Sequence, residues 1–161
     1  MLIQPAEPGD ATEILQLQKL AYRSEAAIYD DLTIAPLTQT LDEMRADLAR
    51  QTCLKATLDG RIAGSVRAHV KNGTCYVGRL IVHPDYQNRG IGTRLMDEIE
   101  RVFRSAARFE LFTGHRSERN LNLYRKLGYR PFRQERISEA LSLVYLEKVR
   151  PHETESDIAE G

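Results

Sequence analysis

The chain has 161 residues, 42% hydrophobic and 29% charged, a composition typical of one globular domain. Its 23 Lys and Arg residues balance its 23 Asp and Glu residues, which excludes a polycation that coats nucleic acid or an anionic membrane. Two cysteines cannot form a disulfide framework, and no apolar run approaches the ~20 residues that span a bilayer. Residues 1–5 lack the basic and apolar regions of a signal peptide, so we expect a cytoplasmic protein with no nucleic-acid or membrane partner.

Charge is unevenly distributed along this neutral chain. Residues 87–136 contain 12 Lys and Arg residues against 6 Asp and Glu residues. A basic segment in a neutral protein indicates a local site for an anion. The alternative is an Arg-rich helix face that is only solvated.

The first third of the sequence predicts a short strand at Leu2 and Ile3, followed by two helices. Capping boxes at residues 10–13 (Asp-Ala-Thr-Glu) and 40–43 (Thr-Leu-Asp-Glu) mark the helix starts, because each pairs an N-cap side chain with a Glu three residues later. The intervening residues 30–39 contain Pro36 and several polar residues, and we expect a loop there.

The middle of the chain predicts three antiparallel strands. Apolar residues alternate over residues 54–58 and 62–70, and residues 75–82 form a mostly apolar run. The dipeptides Asp59-Gly60 and Asn72-Gly73 separate these segments, and both are strong hairpin signals. The sequence therefore predicts a meander.

The last third predicts two more helices and three more strands. Leu95, Ile99 and Val102 recur at helical spacing, a strand is expected at residues 109–113, and Ser117 is the predicted N-cap of a helix that Gly128 ends. Strands at residues 129–135 and 141–148 complete the order β-α-α-β-β-β-α-β-α-β-β. This order predicts an α/β domain, with a mixed sheet and flanking helices over residues 1–149, and an acidic tail over residues 150–161.

The segment that carries chemistry is residues 82–93, Val-His-Pro-Asp-Tyr-Gln-Asn-Arg-Gly-Ile-Gly-Thr. A strand ends and a helix begins here, and the first amides of a helix have no internal partners. Gly90 and Gly92 let an anion approach the backbone, while the helix dipole, Arg89 and Arg94 supply positive charge. The segment therefore predicts a pyrophosphate site, and the alternative is a glycine-rich helix start that binds nothing. A dinucleotide-binding motif would need a third Gly at position 95, which is Leu95, and a P-loop would need a Gly-Lys-Ser/Thr sequence, which this segment lacks. Both of these phosphate-binding motifs are therefore excluded here.

Two motifs together resemble those of the GNAT superfamily of N-acetyltransferases. Val82-x-Pro84-x-x-Gln87-x-x-Gly90-x-Gly92 is similar to its acetyl-CoA-binding motif, and Asn120-x-x-x-Tyr124-x-x-x-Gly128-Tyr129 is similar to its second signature. The predicted element order agrees with that family over residues 1–149. The resemblance implies the GNAT (acyl-CoA N-acyltransferase) fold, a single domain with a mixed, mostly antiparallel sheet. It also implies acetyl transfer from acetyl-CoA to a primary amine by direct attack in a ternary complex, with no metal.

The resemblance also assigns roles to individual residues. Backbone groups of Leu80, Ile81 and Val82 would pair with the pantetheine arm in a gap between two strands, Asn120 would contact the arm, and Tyr124 would be the general acid. The cofactor-binding residues implied at the helix start are Gln87, Asn88, Arg89, Gly90, Ile91, Gly92 and Thr93. One departure is Ser117, which occupies the position seven residues before Tyr124 where many members have Asn.

Several points stay open at the level of sequence. The general base is Glu25, Asp30, Asp31, Glu110 or a water molecule, and the acceptor is a small amine, a protein N-terminus or a lysine. A non-catalytic acyl-CoA-binding regulatory module is the alternative from another class, and a homodimer is plausible for the family. We expect no reactive role for the cysteines and no metal site, since Cys53, Cys75, His69, His83, His115 and His152 lack the spacing of a nucleophile or a metal centre.

Overall fold

The computed structural model describes residues 1–150, which form one seven-stranded sheet flanked by helices. The strands are β1 (Leu2–Pro5), β2 (Thr52–Leu58), β3 (Arg61–Lys71), β4 (Thr74–Val82), β5 (Arg108–Gly114), β6 (Arg130–Arg136) and β7 (Ser142–Val149). The helices are α1 (Ala11–Tyr29), α2 (Ala35–Thr38), α3 (Leu41–Arg50), α4 (Ile91–Val102) and α5 (Glu118–Lys126). The sheet order is β1-β2-β3-β4-β5-β7-β6, and every neighbouring pair is antiparallel except β4 and β5. The predicted fold class and element order are confirmed, with α2 as an addition.

Helix α2 lies within residues 30–39, where the sequence predicts a loop. It is a single turn with a proline in its first two positions, where the missing N–H and the fixed φ of Pro36 are compatible with a helix. The predicted acidic tail, apart from Arg150, and His152 lie outside the described residues. The domain boundary after residue 149 stays a prediction.

Both predicted hairpins are confirmed, and their turn residues explain them. Asp59 and Gly60 have φ angles of 52° and 75°, and Asn72 and Gly73 have φ angles of 52° and 79°. Two consecutive residues with positive φ form the tight turn whose twist matches that of an antiparallel pair. These turns place β2, β3 and β4 side by side.

All three predicted N-cap positions are confirmed, but only Thr40 makes the local capping hydrogen bonds. Thr40 Oγ1 accepts from the Glu43 amide at 3.2 Å and Glu43 Oε1 accepts from the Thr40 amide at 2.9 Å, as a capping box requires. At α1, Asp10 is the N-cap but its carboxylate accepts from the Glu7 amide, while Glu13 accepts from the amide of Ile62 on β3. At α5, Ser117 is likewise the N-cap without a capping hydrogen bond. Asp10 also accepts from Lys55 on β2, and Ser117 donates to Glu25 on α1. Partners outside the two helices thus compete with the local caps.

The sheet splits between β4 and β5. These strands pair only over Thr74–Tyr76 and Arg108–Glu110, so the rest of β4 has no partner on that side. The register of β3 against β4 shifts in the stretch that contains Arg79, whose φ of 52° is the left-handed conformation of a bulged residue. The bulge bends the end of β4, and the sheet opens beyond residue 76.

Helices cover both faces of the first half of the sheet. α4 and α5 pack on one face against a core that includes Val66, Leu95 and Phe109, and α1 and α3 pack on the other against Ile62 and Ile81. Gly64 brings α4 close, since a Cβ atom there would lie 3.0 Å from Ile91 Cγ2 and 2.9 Å from the Ile81 carbonyl oxygen. None of the described helices is long and apolar enough to cross a membrane.

Candidate active site

A cleft of about 1220 Å³ lies where the sheet opens, between α1, the end of β4, the start of α4, and α5. Most of the residues that the sequence motifs selected line it, although they come from three separate segments. Those lining residues are Leu80, Ile81, Val82, Gln87, Asn88, Gly90, Ile91, Gly92, Thr93 and Asn120. Arg89 and Tyr124 are not among the lining residues.

The start of α4 presents free backbone donors to this cleft. Helix α4 has 12 residues, and Gly90 at its N-cap has no side chain with which to cap the first amides. Ile91, Gly92 and Thr93, whose amides come first, all line the cleft. Because such amides carry the positive end of the helix dipole, this wall of the cleft is suited to an anion.

The two glycines of the motif serve different purposes. Gly90 has a φ of 78°, a conformation that strongly favours glycine, and a Cβ atom there would have no neighbour within 4 Å. Gly92 has no such backbone requirement, but a Cβ atom there would lie 3.4 Å from Leu123 and 3.8 Å from both Leu80 and Val82. A side chain at position 92 would therefore fill the narrow space between β4 and α5.

The end of β4 offers backbone groups along the opening of the sheet. Ile81 and Val82 are paired with Ser65 and Gly64 of β3 on one side. On the other side β5 has already diverged, because its pairing with β4 ends at Tyr76. The predicted gap between the two strands is therefore present, and Leu80–Val82 have an edge to which an extended ligand can pair.

Helix α5 forms the facing wall and carries the second motif. Asn120 lines the cleft and donates to Thr113 Oγ1 at 3.3 Å. Tyr124 is buried, with its ring edge-on to Tyr129 at 6.0 Å between centroids. Burial raises the pKa of Tyr124, and the nearby Tyr22 phenol and Glu25 carboxylate add to the increase. The Tyr124 phenol is therefore held in its protonated form.

The positive charge of the cleft does not come from Arg89 and Arg94, the side chains that the motif predicted. Arg89 lies over the Tyr86 ring at 5.2 Å, and Arg94 lines a separate depression beside β1. The basic side chains that line the cleft are Arg23, Arg116, Arg119 and Lys126. Arg94 points away because it lies two positions after Gly92, about 200° around the helix axis, and Gly92 faces the cleft.

The four candidate bases have different surroundings. Glu25 lines the cleft, while Asp30 is an exposed residue in the left-handed conformation at the end of α1. Asp31 accepts from Thr33, and these hydrogen bonds lower its pKa. Glu110 forms an ion pair with Arg108 at 2.8 Å. Among the four, only Glu25 is a lining residue of the cleft.

Sequence reasoning missed a hydrogen-bonded group beside Glu25. Ser117 Oγ donates to Glu25 Oε2 and lies 2.8 Å from the Tyr29 hydroxyl, which accepts from the Arg116 amide at 2.9 Å. The departure at position 117 from the family pattern was the one available signal. Tyr29 could not be found from its neighbours in sequence, because its partners are 87 and 88 residues away.

None of the cysteines and histidines within residues 1–150 lines the cleft. Burial raises the pKa of Cys53 to about 11 and that of Cys75 to about 12, so both thiols stay protonated near neutral pH. His115 is tied to Ser142, and His83 accepts from the Asp85 amide. Within residues 1–150, no three His, Cys, Asp or Glu side chains form a group suited to a metal ion.

A split, mostly antiparallel sheet with a helix N-terminus facing the split is an arrangement suited to an extended anionic ligand. The model of the acetyltransferase (GNAT) family matches residues 12–129. The chain therefore belongs to the GNAT acetyltransferase family. A sequence search against curated proteins finds no significant match.

Solved structures agree with the fold. The ribosomal-protein-S18-alanine N-acetyltransferase from Escherichia coli superposes with a TM-score of 0.78 at 17% identity, over 96% of each chain. PaiA N-acetyltransferase from Thermoplasma acidophilum, in complex with coenzyme A, has a TM-score of 0.76 at 16% identity, over 93% of this chain and 100% of that one. YncA from Salmonella typhimurium, a putative acetyltransferase with acetyl-CoA, has a TM-score of 0.74 at 19% identity, over 94% and 95%.

Proposed function

We propose that this chain transfers the acetyl group of acetyl-CoA to a primary amine of a small molecule, by direct attack in a ternary complex. The observation that carries the proposal is the convergence of three features on one cleft: free amides at the start of α4, an unpaired edge at the end of β4, and Glu25 on the wall from α1. The first suits a pyrophosphate, the second an extended arm, and the third an ammonium group. A cytoplasmic location and a homodimer stay predictions.

The positions of the motif residues support the following binding roles. Backbone amides of residues 87–93 would hold the pyrophosphate, with Arg119 and Lys126 supplying positive charge from α5. The backbone of Leu80–Val82 would pair with the pantetheine arm, and Asn120 would contact it from the facing wall. Arg89 would contribute through its backbone, because its guanidinium group lies over the Tyr86 ring.

The chemistry requires three things of the protein. The acceptor ammonium must lose a proton, since an alkyl amine with a pKa near ~10 is protonated at neutral pH. A backbone N–H on the free edge of β4 would polarise the thioester oxygen as the C–N bond forms. Tyr124 would donate its proton to the sulfur as the C–S bond breaks, and the proton lost by the new amide nitrogen would restore the phenol.

A protein N-terminus is the second candidate acceptor. The E. coli structure with a TM-score of 0.78 carries the name of an enzyme that acts on an alanine of ribosomal protein S18. The present cleft has a carboxylate at Glu25, which suits any ammonium group, whether on a small amine or on a peptide. Two further results of the same test are possible: acetylation of lysine side chains, and binding of acyl-CoA without transfer, as in a regulatory module.

The experiment is an acetyl-CoA thiol-release assay with a panel of acceptors. The panel contains small amines and amino acids, peptides with a free N-terminal alanine, N-terminally blocked peptides with lysine, and a no-acceptor control. We expect acceptor-dependent thiol release with at least one small amine, matched by its acetylated product in mass spectrometry. Transfer to peptides alone would replace the small-molecule acceptor, and tight acetyl-CoA binding without transfer to any amine would favour the regulatory module.

A further inference from the structure

We propose that Glu25 is the base that takes the proton of the acceptor amine, and that Ser117 and Tyr29 hold it in position. This inference rests on the proposed function and adds the residues that serve the acceptor. The carboxylate and the two hydroxyls come from the end of α1 and from the residue before α5, so they join two walls of the cleft.

The hydrogen atoms of this group have only one consistent arrangement. A serine hydroxyl has a single proton, and Ser117 uses it to donate to Glu25 Oε2. The Tyr29 hydroxyl must therefore donate to Ser117 Oγ across their 2.8 Å contact, and it accepts from the Arg116 amide. Every donor in the chain Arg116, Tyr29, Ser117 is thus directed toward the carboxylate of Glu25.

This arrangement leaves one oxygen of Glu25 for the acceptor. Oε2 is bonded to Ser117, and no described residue forms a hydrogen bond or ion pair with Oε1. Glu25 is half-buried and lines the cleft, so Oε1 is the oxygen that a bound ammonium can reach. Tyr22, which also lines the cleft, and the buried Tyr124 both lie within electrostatic reach of Glu25.

The packing around Tyr29 shows that this group is built into the fold. Tyr29 is 4% exposed, and Ser117 is 2% exposed. The His115 ring packs against Tyr29 at 5.8 Å between centroids, and its Nδ1 accepts from the Ser142 amide at 3.0 Å. Two buried hydroxyls with satisfied hydrogen bonds leave the Glu25 carboxylate little freedom to rotate.

The proton transfer balances without another reagent. The acceptor ammonium gives one proton to Glu25, and the resulting neutral amine forms the C–N bond with the thioester carbon. The C–S bond then breaks and the sulfur receives the Tyr124 proton. The proton lost by the new amide nitrogen restores the phenol, and Glu25 releases its own proton to solvent. Ser117 and Tyr29 keep their protons throughout, so they are positioning residues.

The first arm of the test replaces the carboxylate. Glu25→Gln keeps the size and the ability to accept from Ser117, and we expect its kcat to fall at least 100-fold, within the range for a general base. Its acetyl-CoA affinity, measured by calorimetry, should stay within twofold of the original. The matched control is Asp30→Asn, which removes a carboxylate at the exposed end of the same helix and keeps a residue tolerant of the left-handed conformation. We expect that control to retain its activity.

The second arm asks whether Ser117 acts through Glu25. Ser117→Ala should lower kcat roughly tenfold, the effect of one lost hydrogen bond to a charged group, with little change in the KM for acetyl-CoA. In the Glu25→Gln background the same change should lower kcat less than twofold, because the base is already absent. Equal effects in both backgrounds would show that Ser117 is structural and would overturn its positioning role.

The outcomes separate this inference from the proposed function. If the unmodified protein acetylates no amine, both the proposed acetyltransferase function and the role of Glu25 as base are overturned. An active original chain whose Glu25→Gln variant retains its kcat overturns only the base, and the acetyltransferase proposal stands.

Discussion

The Tyr29 hydroxyl occupies the space that a side chain at position 114 would need. An ideal Cβ atom at Gly114 would overlap with the oxygen of Tyr29 and would lie 2.9 Å from Ser117 Oγ. Gly114 is the last residue of β5, and the end of α1 packs against it through this tyrosine. Only glycine lets the helix and the strand approach closely enough for the hydrogen bond between Tyr29 and Ser117.

Gly114→Ala should therefore displace the Tyr29 hydroxyl. We expect a loss of about 1–3 kcal/mol in the free energy of unfolding, as for other overpacked positions, together with a lower kcat. Denaturant unfolding and the thiol-release assay measure the two effects. The matched control is Gly9→Ala, where a Cβ atom would have no neighbour within 4 Å. A Gly114→Ala variant as stable and active as the control would contradict the close packing.

Gly92→Val should weaken the binding of acetyl-CoA at least tenfold, about 1.4 kcal/mol. The valine would fill the space between Leu80, Val82 and Leu123, next to the first amides of α4. Gly92→Ala, with its single methyl group 3.4 Å from Leu123, should have a smaller effect. Calorimetry with acetyl-CoA measures both affinities, and circular dichroism checks the fold. Unchanged affinity in the valine variant would remove the pyrophosphate assignment.

The charges on α5 should make acetyl-CoA binding depend on salt. Arg119 and Lys126 line the cleft, and exposed charges are screened over about 8–10 Å in ordinary buffer. Replacing both with Ala should weaken binding at low salt and flatten its salt dependence. Arg101→Ala is the control, since Arg101 pairs with Glu98 on α4 and does not line the cleft. If the affinity of the unmodified protein for acetyl-CoA does not depend on salt, the basic segment is only a solvated surface and does not attract the ligand.

Tyr124→Phe should lower kcat by a factor of about 10²–10⁴, the range for general acids, and leave acetyl-CoA binding intact. The phenylalanine keeps the ring that packs against Tyr129, so stability should be nearly unchanged. Because burial raises the pKa of Tyr124, the phenol has its proton at every pH at which the assay is practical. Full turnover of the variant with a good acceptor would leave Tyr124 as a packing residue.

Asp10 should make stability fall in acid. Burial by itself raises the pKa of Asp10, but the Glu7 amide and the Lys55 ammonium outweigh it, and the net shift is below the ordinary value of 3.8. A lowered pKa in the folded state contributes stability that is present well above pH 3.8 and is lost as the pH falls through the folded pKa.

Asp10→Asn tests this contribution through its pH dependence. It should cost about 1.5–3 kcal/mol at neutral pH, as for a hydrogen bond to a charged group. The difference from the unmodified protein should shrink as the pH falls below 3.8. Asp42→Asn is the control. The Asp42 side chain is 96% exposed and its Oδ1 lies 3.7 Å from Arg45 Nη1, and such an exposed ion pair contributes little to stability. A cost that does not change with pH would contradict the ionic origin.

Most of the fold could be predicted because its signals are local. The Asn72-Gly73 turn, the Thr40 cap and the Gly128 helix end each depend on a few neighbouring residues, and each lies where the sequence indicated. The side chains of Asp10, Glu13 and Ser117 could not be assigned in this way. Their partners lie on other elements, and a capping pattern does not reveal a competing partner that is distant in sequence.

The sequence by itself determined the family, the order of the elements and the position of the motif around Gly90 and Gly92, because each depends on spacing along the chain. Only the tertiary structure decided which charges face the cleft and which of the candidate carboxylates lines it. Arg94 and Arg119 both lie near the start of a helix in the basic segment, but Arg94 lies beside β1 and Arg119 lines the cleft. Glu25 meets Ser117 across 92 residues, because the split between β4 and β5 leaves α1 and α5 facing each other over one opening.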